Sequence, residues 1–259
     1  MNILLLGDIV GRTGRKAIKN QLPELIKEYR VDFIIANGEN AAGGFGLTRQ
    51  VADDLFSYGI NVITMGNHTW GNRSILSFIN TDKRIIRPLN FTDNTPGKGW
   101  TVLKYRNINI AIINLIGQVF MNGSNSPFDE FDKNILEIKE KSDIIIIDFH
   151  AEATGEKLAF ANYVDGQVSA TVGTHTHVQT SDNMILTNGT AYISDLGMCG
   201  ALDSILGMNK KNIIKRFRTQ IPYKYIVEKG ACKLEGAVIN IDEMTGLSNQ
   251  IMRIRVSNK

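Results

Sequence analysis

Short apolar runs, each about the length of a strand, alternate with stretches of helical spacing along most of the chain. Asn2–Leu6, Val31–Ala36 and Ile60–Met65 read as three strands. Between the first two, Ala17, Ile18, Leu22, Leu25, Ile26 and Tyr29 recur at helical intervals. Thr48 stands where an N-cap belongs, ahead of Val51, Leu55 and Phe56. A short helix around Ile75–Ile79, a strand near Ile85–Leu89 and a turn over Thr95–Gly99 are expected next. Trp100–Tyr105 and Ile108–Ile116 read as a hairpin, which brings antiparallel pairing into a sheet. The polar stretch Gly117–Asp129 is expected to be a surface loop. A helix near Phe131–Lys141, a doubly buried strand over Asp143–Phe149, a helix over Thr154–Val164 and a strand over Val168–Val172 follow. Asn188-Gly189 marks a hairpin within Met184–Ile193, and Asp203–Phe217 carries a helical region. The β-rich tail Tyr223–Val256 is expected to complete a second sheet. The pattern is α/β, and with no linker or repeat it predicts a single domain over residues 1–259.

Composition changes this picture little. A net charge of +3 over 259 residues gives no strong reason to expect nucleic-acid or membrane partners and leaves small anionic substrates open. The cluster Lys210, Lys211, Lys215, Arg216 and Arg218 reads first as a solvated helix face and second as an RNA- or phosphate-binding patch. Cys199 and Cys232 are too few for a disulfide framework and read as reduced thiols of a cytoplasmic protein. The first apolar run is too short for a signal peptide, and no run nears the roughly 18 apolar residues of a membrane span.

Chemistry concentrates at strand tips. The chain has four histidines, His68, His150, His175 and His177, and each lies just past an apolar run. Asp8, Glu39-Asn40 and Asn67 occupy equivalent places. Carboxyl ends of parallel strands line one crevice in an open α/β sheet, so these groups are expected to meet there. Mixed imidazole, carboxylate and amide donors suit Mn, Fe or Zn better than calcium or magnesium. So many such groups exceed one tetrahedral site but match two ions about 3.5–4 Å apart. Glu39 is the expected bridge.

In order and spacing, Gly7-Asp8, Gly38-Glu39-Asn40, Gly66-Asn67-His68, His150 and Gly173-Thr174-His175-Thr176-His177 resemble the sequence blocks of calcineurin-like metallophosphoesterases. Gly-Asp-Ile-Val-Gly, Gly-Glu-Asn-Ala-Ala-Gly-Gly, Gly-Asn-His-Thr-Trp and Asp-Phe-His-Ala-Glu are similar to its YmdB branch. The superfamily opens with Asp-x-His, whereas the third position here is Val10, which binds no metal. The resemblance implies a metallophosphoesterase-type α/β sandwich of two mixed sheets flanked by helices. It implies that Asp8, Glu39, Asn40 and His177 hold one ion, with Asn40 supplying an oxygen in place of the missing imidazole, and that Glu39, Asn67, His150 and His175 hold the other. The ions are expected to be divalent or mixed-valence Fe or Mn, with Zn as a further option. His68 is left without an ion and is expected to protonate the leaving oxygen, while a metal-bound hydroxide attacks phosphorus.

The activity expected is that of a phosphodiesterase acting on cyclic nucleotides, above all 2′,3′-cyclic ones, where only the resemblance speaks for "cyclic nucleotide". A phosphomonoesterase, and a regulatory nucleotide- or RNA-binding protein on the same scaffold, stay open. The expected partners are a small phosphoester and further copies of the chain, with no membrane; nucleic acid has weaker support. Asp148, Glu152 and Asp195 read equally as groups orienting the imidazoles or as solvated carboxylates. Gly11, Arg12, Gly14 and Arg15 read as helix entry, and Trp70 and Phe45 read as core before base-stacking surface.

Overall fold

Two-residue alternation along the strands builds the layers. In β1 (Asn2–Leu6), Ile3 and Leu5 enter one apolar cluster while Leu4 and Leu6 enter another. The computed structural model of the chain, which describes residues 1–121 and 123–258, repeats this division in strand after strand. After β1 come β2 (Asp8–Ile9), α1 (Gly11–Glu28), β3 (Phe33–Asn37), α2 (Arg49–Ser57), β4 (Val62–Thr64) and β5 (Ile85–Ile86). β1, β3, β4 and β5 are parallel neighbours, and β1 with β3 packs its outer face on α1 and α2. The Thr48 hydroxyl accepts from the Val51 amide and caps α2, as its position predicted.

The second sheet is built from β6 (Trp100–Tyr105), β7 (Ile108–Ile116), α3 (Pro127–Lys141), β8 (Ile144–His150), α4 (Thr154–Tyr163), β9 (Ala170–Thr174), β10 (Met184–Ile185) and β11 (Ala191–Ile193). Its order is β10-β11-β9-β8-β7-β6, with a parallel centre and two antiparallel edges. Ile145, Ile147 and Phe149 pack outward with α3 and α4. Ile144 and Ile146 pack inward with Ile3, Leu5, Phe33 and Ile35 of the first sheet. Each such side chain fully buried contributes about 1.5–3 kcal/mol, and this shared layer holds the sandwich together.

Three expectations are corrected. Of the tail Tyr223–Val256, β13 (Cys232–Ile241) and β14 (Ser248–Asn258) join the first sheet, not the second, because β13 pairs antiparallel with β1 from Asn2↔Asn240 to Leu6↔Gly236, and β12 (Met198–Ala201) pairs with β13 there. β13 alternates like its neighbour, with Leu234 and Val238 towards α1 and Ala237 and Ile239 inward. α5 (Lys210–Thr219) starts where Asn209 caps it, so Asp203–Met208 is turn. α3 starts at Pro127 under a Ser126 cap and takes the end of the expected loop 117–129, of which Asn122 lies outside the described residues.

Candidate metal centre

The inward parity that places Ile144 and Ile146 between the sheets also carries Asp148 and His150 there, at the carboxyl end of β8. Asn37, Thr64 and Thr174 share that inward parity in β3, β4 and β9. They meet on one carboxylate. Thr174 donates to Asp148 Oδ1 at 2.8 Å, Thr64 donates to Oδ2, and Asn37 Nδ2 lies 3.4 Å from Oδ2. The Thr174 hydroxyl proton is thus committed to Asp148, so Oγ1 accepts from His150 Nδ1, 2.9 Å away. His150 is held with Nε2 facing the strand tips.

Around Glu39 the predicted residues come together in two groups. In one, His150 Nε2 lies 3.3 Å from Glu39 Oε1, 2.8 Å from Asn67 Oδ1 and 3.1 Å from His175 Nδ1. His175 turns Nε2 outward to Glu152, 3.2 Å away. Glu39, His150 and His175 each present a ligand atom within 4.8 Å of the others. In the other group, His177 Nε2 is 3.4 Å from Asp8 Oδ1, and Asn40 Nδ2 lies 3.3–3.4 Å from Asp8 Oδ1, Glu39 Oε1 and His177 Nε2. Asp8, Glu39, Asn40 and His150 are at most 2% exposed. His68 stands at the junction: its amide donates to Glu39 Oε2 at 2.8 Å, and its Nδ1 lies 2.7 Å from Asn40 Oδ1.

Such a donor set fits a cation. With the His150 proton given to Thr174 and His175 Nε2 turned to Glu152, the first group directs lone pairs of two imidazoles, a carboxylate and an amide oxygen at one region. Burial is the strongest influence on these groups, and it opposes charge on each. Their mutual attraction wins at Asp8 and Glu39, which the histidines, chiefly His177 and His150 respectively, hold below the usual carboxylate range. Against its own burial, His150 is raised to about 9 by Glu39 and Asp8, and His177 is raised by Asp8. His175 is pushed down to about 4, first by burial and then by the charge on His150. Burial lowers His68, and it lifts Asp148 to about 6.

The turns are shaped for this convergence. His175 and His177 adopt φ of 99° and 65°, a left-handed backbone that costs a non-glycine residue about 1–3 kcal/mol. The strand therefore ends at Thr174, and the two side chains reach different groups instead of sharing a strand face. Asp195 holds the turn by accepting from the Thr176 amide and pairing with buried Lys157 at 3.0 Å. Gly66 has no substitute here: a Cβ would collide with Glu39 Oε2 and the His150 ring.

A scan against family models matches residues 4–254 to the YmdB-like protein family. The chain belongs to that family. It is 48% identical to the 2′,3′-cyclic-nucleotide 2′-phosphodiesterase of Bacillus subtilis over 100% of this chain and 98% of the relative. Among solved structures, it matches a hypothetical protein of Thermus thermophilus with TM-score 0.94 and 34% identity, covering 100% of both chains. A structure described as a novel phosphatase of Mycoplasma pneumoniae matches with TM-score 0.93 and 36% identity, covering 99% of this chain and 93% of that one. The YmdB-like fold, two mixed sheets with helices outside, is the one the resemblance implied. The enzyme class expected from the sequence, a phosphoester hydrolase, agrees with the names these YmdB-like relatives carry.

Several residues around the centre were not singled out from the sequence. Asn37, Thr64 and Thr174 were missed, although a polar residue at an inward position of an apolar strand is a visible signal. Of the three carboxylates left open, Asp148 reaches His150 through Thr174, Glu152 meets His175 while half-exposed, and Asp195 braces the turn. Phe45 is not core: it is 52% exposed, with its ring 4.4 Å from that of His68. Trp70 is partly buried against the first core and also lines a cavity of about 520 Å³ whose other walls include Asn67, His175, Phe91 and Phe120. No helix among the described residues is long and apolar enough to cross a membrane.

Proposed function

We propose that this chain is a phosphodiesterase that opens 2′,3′-cyclic nucleotides at a centre of two transition-metal ions. The observation that carries the reading is the pair of donor groups sharing Glu39, with His68 between them. Asp8, Glu39, Asn40 and His177 would hold one ion and Glu39, Asn67, His150 and His175 the other, with iron or manganese best suited to the mixture and zinc next. Divalent ions there would neutralise phosphate charge and make water acidic enough to act as a nucleophile near neutral pH. Asn40 presents Nδ2 to Asp8 and His177 and Oδ1 to His68, so giving oxygen to an ion requires its amide to turn over.

The chain's own contribution is order and proton supply. His68 Nδ1 donates to Asn40 Oδ1 as the amide now stands, and turning that oxygen to an ion would release the contact, so the proton for the leaving oxygen would come from His68 as an imidazolium. In hydrolysis of a 2′,3′-cyclic phosphate, water oxygen bonds to phosphorus, the P–O2′ bond breaks and the 2′ oxygen takes up a proton, leaving a 3′-phosphate. The cavity beyond Asn67 and His175 supports a nucleoside substrate, because Trp70, Phe91 and Phe120 offer apolar and aromatic surface to a base.

Hydrolysis rates of 2′,3′-cyclic AMP, bis-p-nitrophenyl phosphate and p-nitrophenyl phosphate, measured with manganese added, test this. The cyclic nucleotide and the diester are expected to be cleaved and the monoester to lag. A strong preference for the monoester would overturn the diesterase reading in favour of a phosphatase.

A further inference from the structure

The charge of the molecule is segregated in a way its net value hides. From Ser204 to Val227 there are six lysines and arginines and no carboxylate, and from Val10 to Leu22 there are four and none. These two segments hold ten cations in a chain of net charge +3, so the remainder is net acidic. They meet in space. A groove of about 1000 Å³ runs between the start of α1 and the segment after α5, lined by Arg12, Lys16, Lys224, Tyr225 and Lys229 and, among the described residues, by no acidic side chain. Among the described residues, none of these four cations has a carboxylate partner within ion-pair distance, although the pairings in this chain include Arg49–Asp53 and Lys141–Glu137. A face that served only to be solvated would gain from mixing signs. Here like charges are gathered into a concavity, where their fields add.

The groove abuts the candidate centre. Gly43, three residues after Asn40, forms part of its wall, and Arg15 donates to the Ala41 carbonyl at 2.6 Å. The acid-free segment begins at the same place, since His177 Nδ1 lies 3.2 Å from the Leu206 carbonyl. Its aromatics stand beside the cations: Tyr225 is 55% exposed, with the Arg216 guanidinium 4.8 Å from its ring centre, and Lys215 lies over the half-buried Tyr223. Cations that track a backbone, interleaved with aromatic faces, are what single-stranded nucleic acid binds.

We propose that this groove takes the sugar–phosphate backbone of a single-stranded RNA whose cyclic-phosphate 3′ end occupies the centre. The inference rests on the reading of that centre as one for 2′,3′-cyclic phosphates, which only ribose can form. It changes the substrate class from free cyclic mononucleotides alone to the ends of RNA chains.

Equilibrium binding of a fluorescein-labelled oligoribonucleotide of about twelve residues, with an unmodified 3′ end, to the manganese-loaded full chain tests the groove without turnover. Binding is expected to weaken as salt rises, and the triple variant K16E/K224E/K229E to bind about tenfold or more weakly, with a log–log salt slope shallower by about two. The same variant should cleave 2′,3′-cyclic AMP as the parent does but lose kcat/KM on an oligoribonucleotide ending in a cyclic phosphate. Failure to hydrolyse any cyclic phosphate, with salt-dependent RNA binding intact, would sink the reading of the centre and spare the groove. Equal RNA binding by parent and variant would overturn the groove. So would binding of phosphatidylserine vesicles without RNA, or a variant altered only in its oligomeric state, which would assign the face to a membrane or to a second copy of the chain.

Discussion

His150 and His68 lie at opposite extremes of support within one centre. His150 ends a strand, is fully buried, and has its ring fixed by a chain of hydrogen bonds through Thr174 to a carboxylate shared by both sheets. His68 sits on a turn, with its side chain 31% exposed and its ring against that of Phe45, itself exposed. The difference teaches what each position demands. A ligand must present the same lone pair throughout the cycle, which rigid second contacts secure. A proton donor must follow the leaving group and exchange with solvent, which a half-open position allows.

Loss of the shared group should have the largest effect. Glu39→Gln removes the carboxylate common to both donor groups, and kcat/KM is expected to fall by at least about 10³-fold together with metal content, measured by elemental analysis. His68→Ala comes next: both ions retained, kcat down by about 10²–10⁴-fold, and a smaller loss on bis-p-nitrophenyl phosphate, whose leaving group needs no proton. Metal loss in this variant would erase the contrast between the two histidines. Thr174→Val cuts the link from His150 to Asp148 and should weaken manganese binding about 10–100-fold by calorimetry, with Thr174→Ser restoring it. If valine binds metal as threonine does, the rigidity of His150 does not depend on this chain of contacts. The mildest change is Phe45→Ala. Burial holds His68 below its ordinary pKa, so exposing the ring should move its NMR titration in the metal-free protein upward, towards about 6.5. A turnover change of no more than about threefold is expected with it.

The sequence makes the two histidines unequally legible as well. Every proposed ligand lies at the end of an apolar run, and the period-two alternation that buries Ile144 and Ile146 also tells that Asp148 and His150 point inward. What alternation leaves blank is the partner across the sandwich. Asn37 and Asp148 are 111 residues apart, and no local pattern says that β3 and β8 face each other at that level. The placement of β13 beside β1 was hidden for the same reason, since 238 residues separate Asn2 from Asn240. Phe45 was misread because an aromatic residue among glycines looks the same whether it packs inward or lies over a neighbouring imidazole. The basic groove was half visible: the basic run near α5 stood out, but its approach to Arg12 and Lys16 depends on the folded chain.

Asp148 also has a consequence for folding. One carboxylate takes contacts from Asn37 and Thr64 in the first sheet and from Thr174 in the second, at the end of a layer built mainly of hydrocarbon. A slip of β8 by one residue would send Asp148 and His150 under the outer helices and bring Ile147 and Phe149 into the gap. Each polar side chain left without a partner in that mispaired state would cost about 1–3 kcal/mol. The group that steadies a proposed ligand thereby acts as a register key, penalising misaligned chains whether or not a metal is bound.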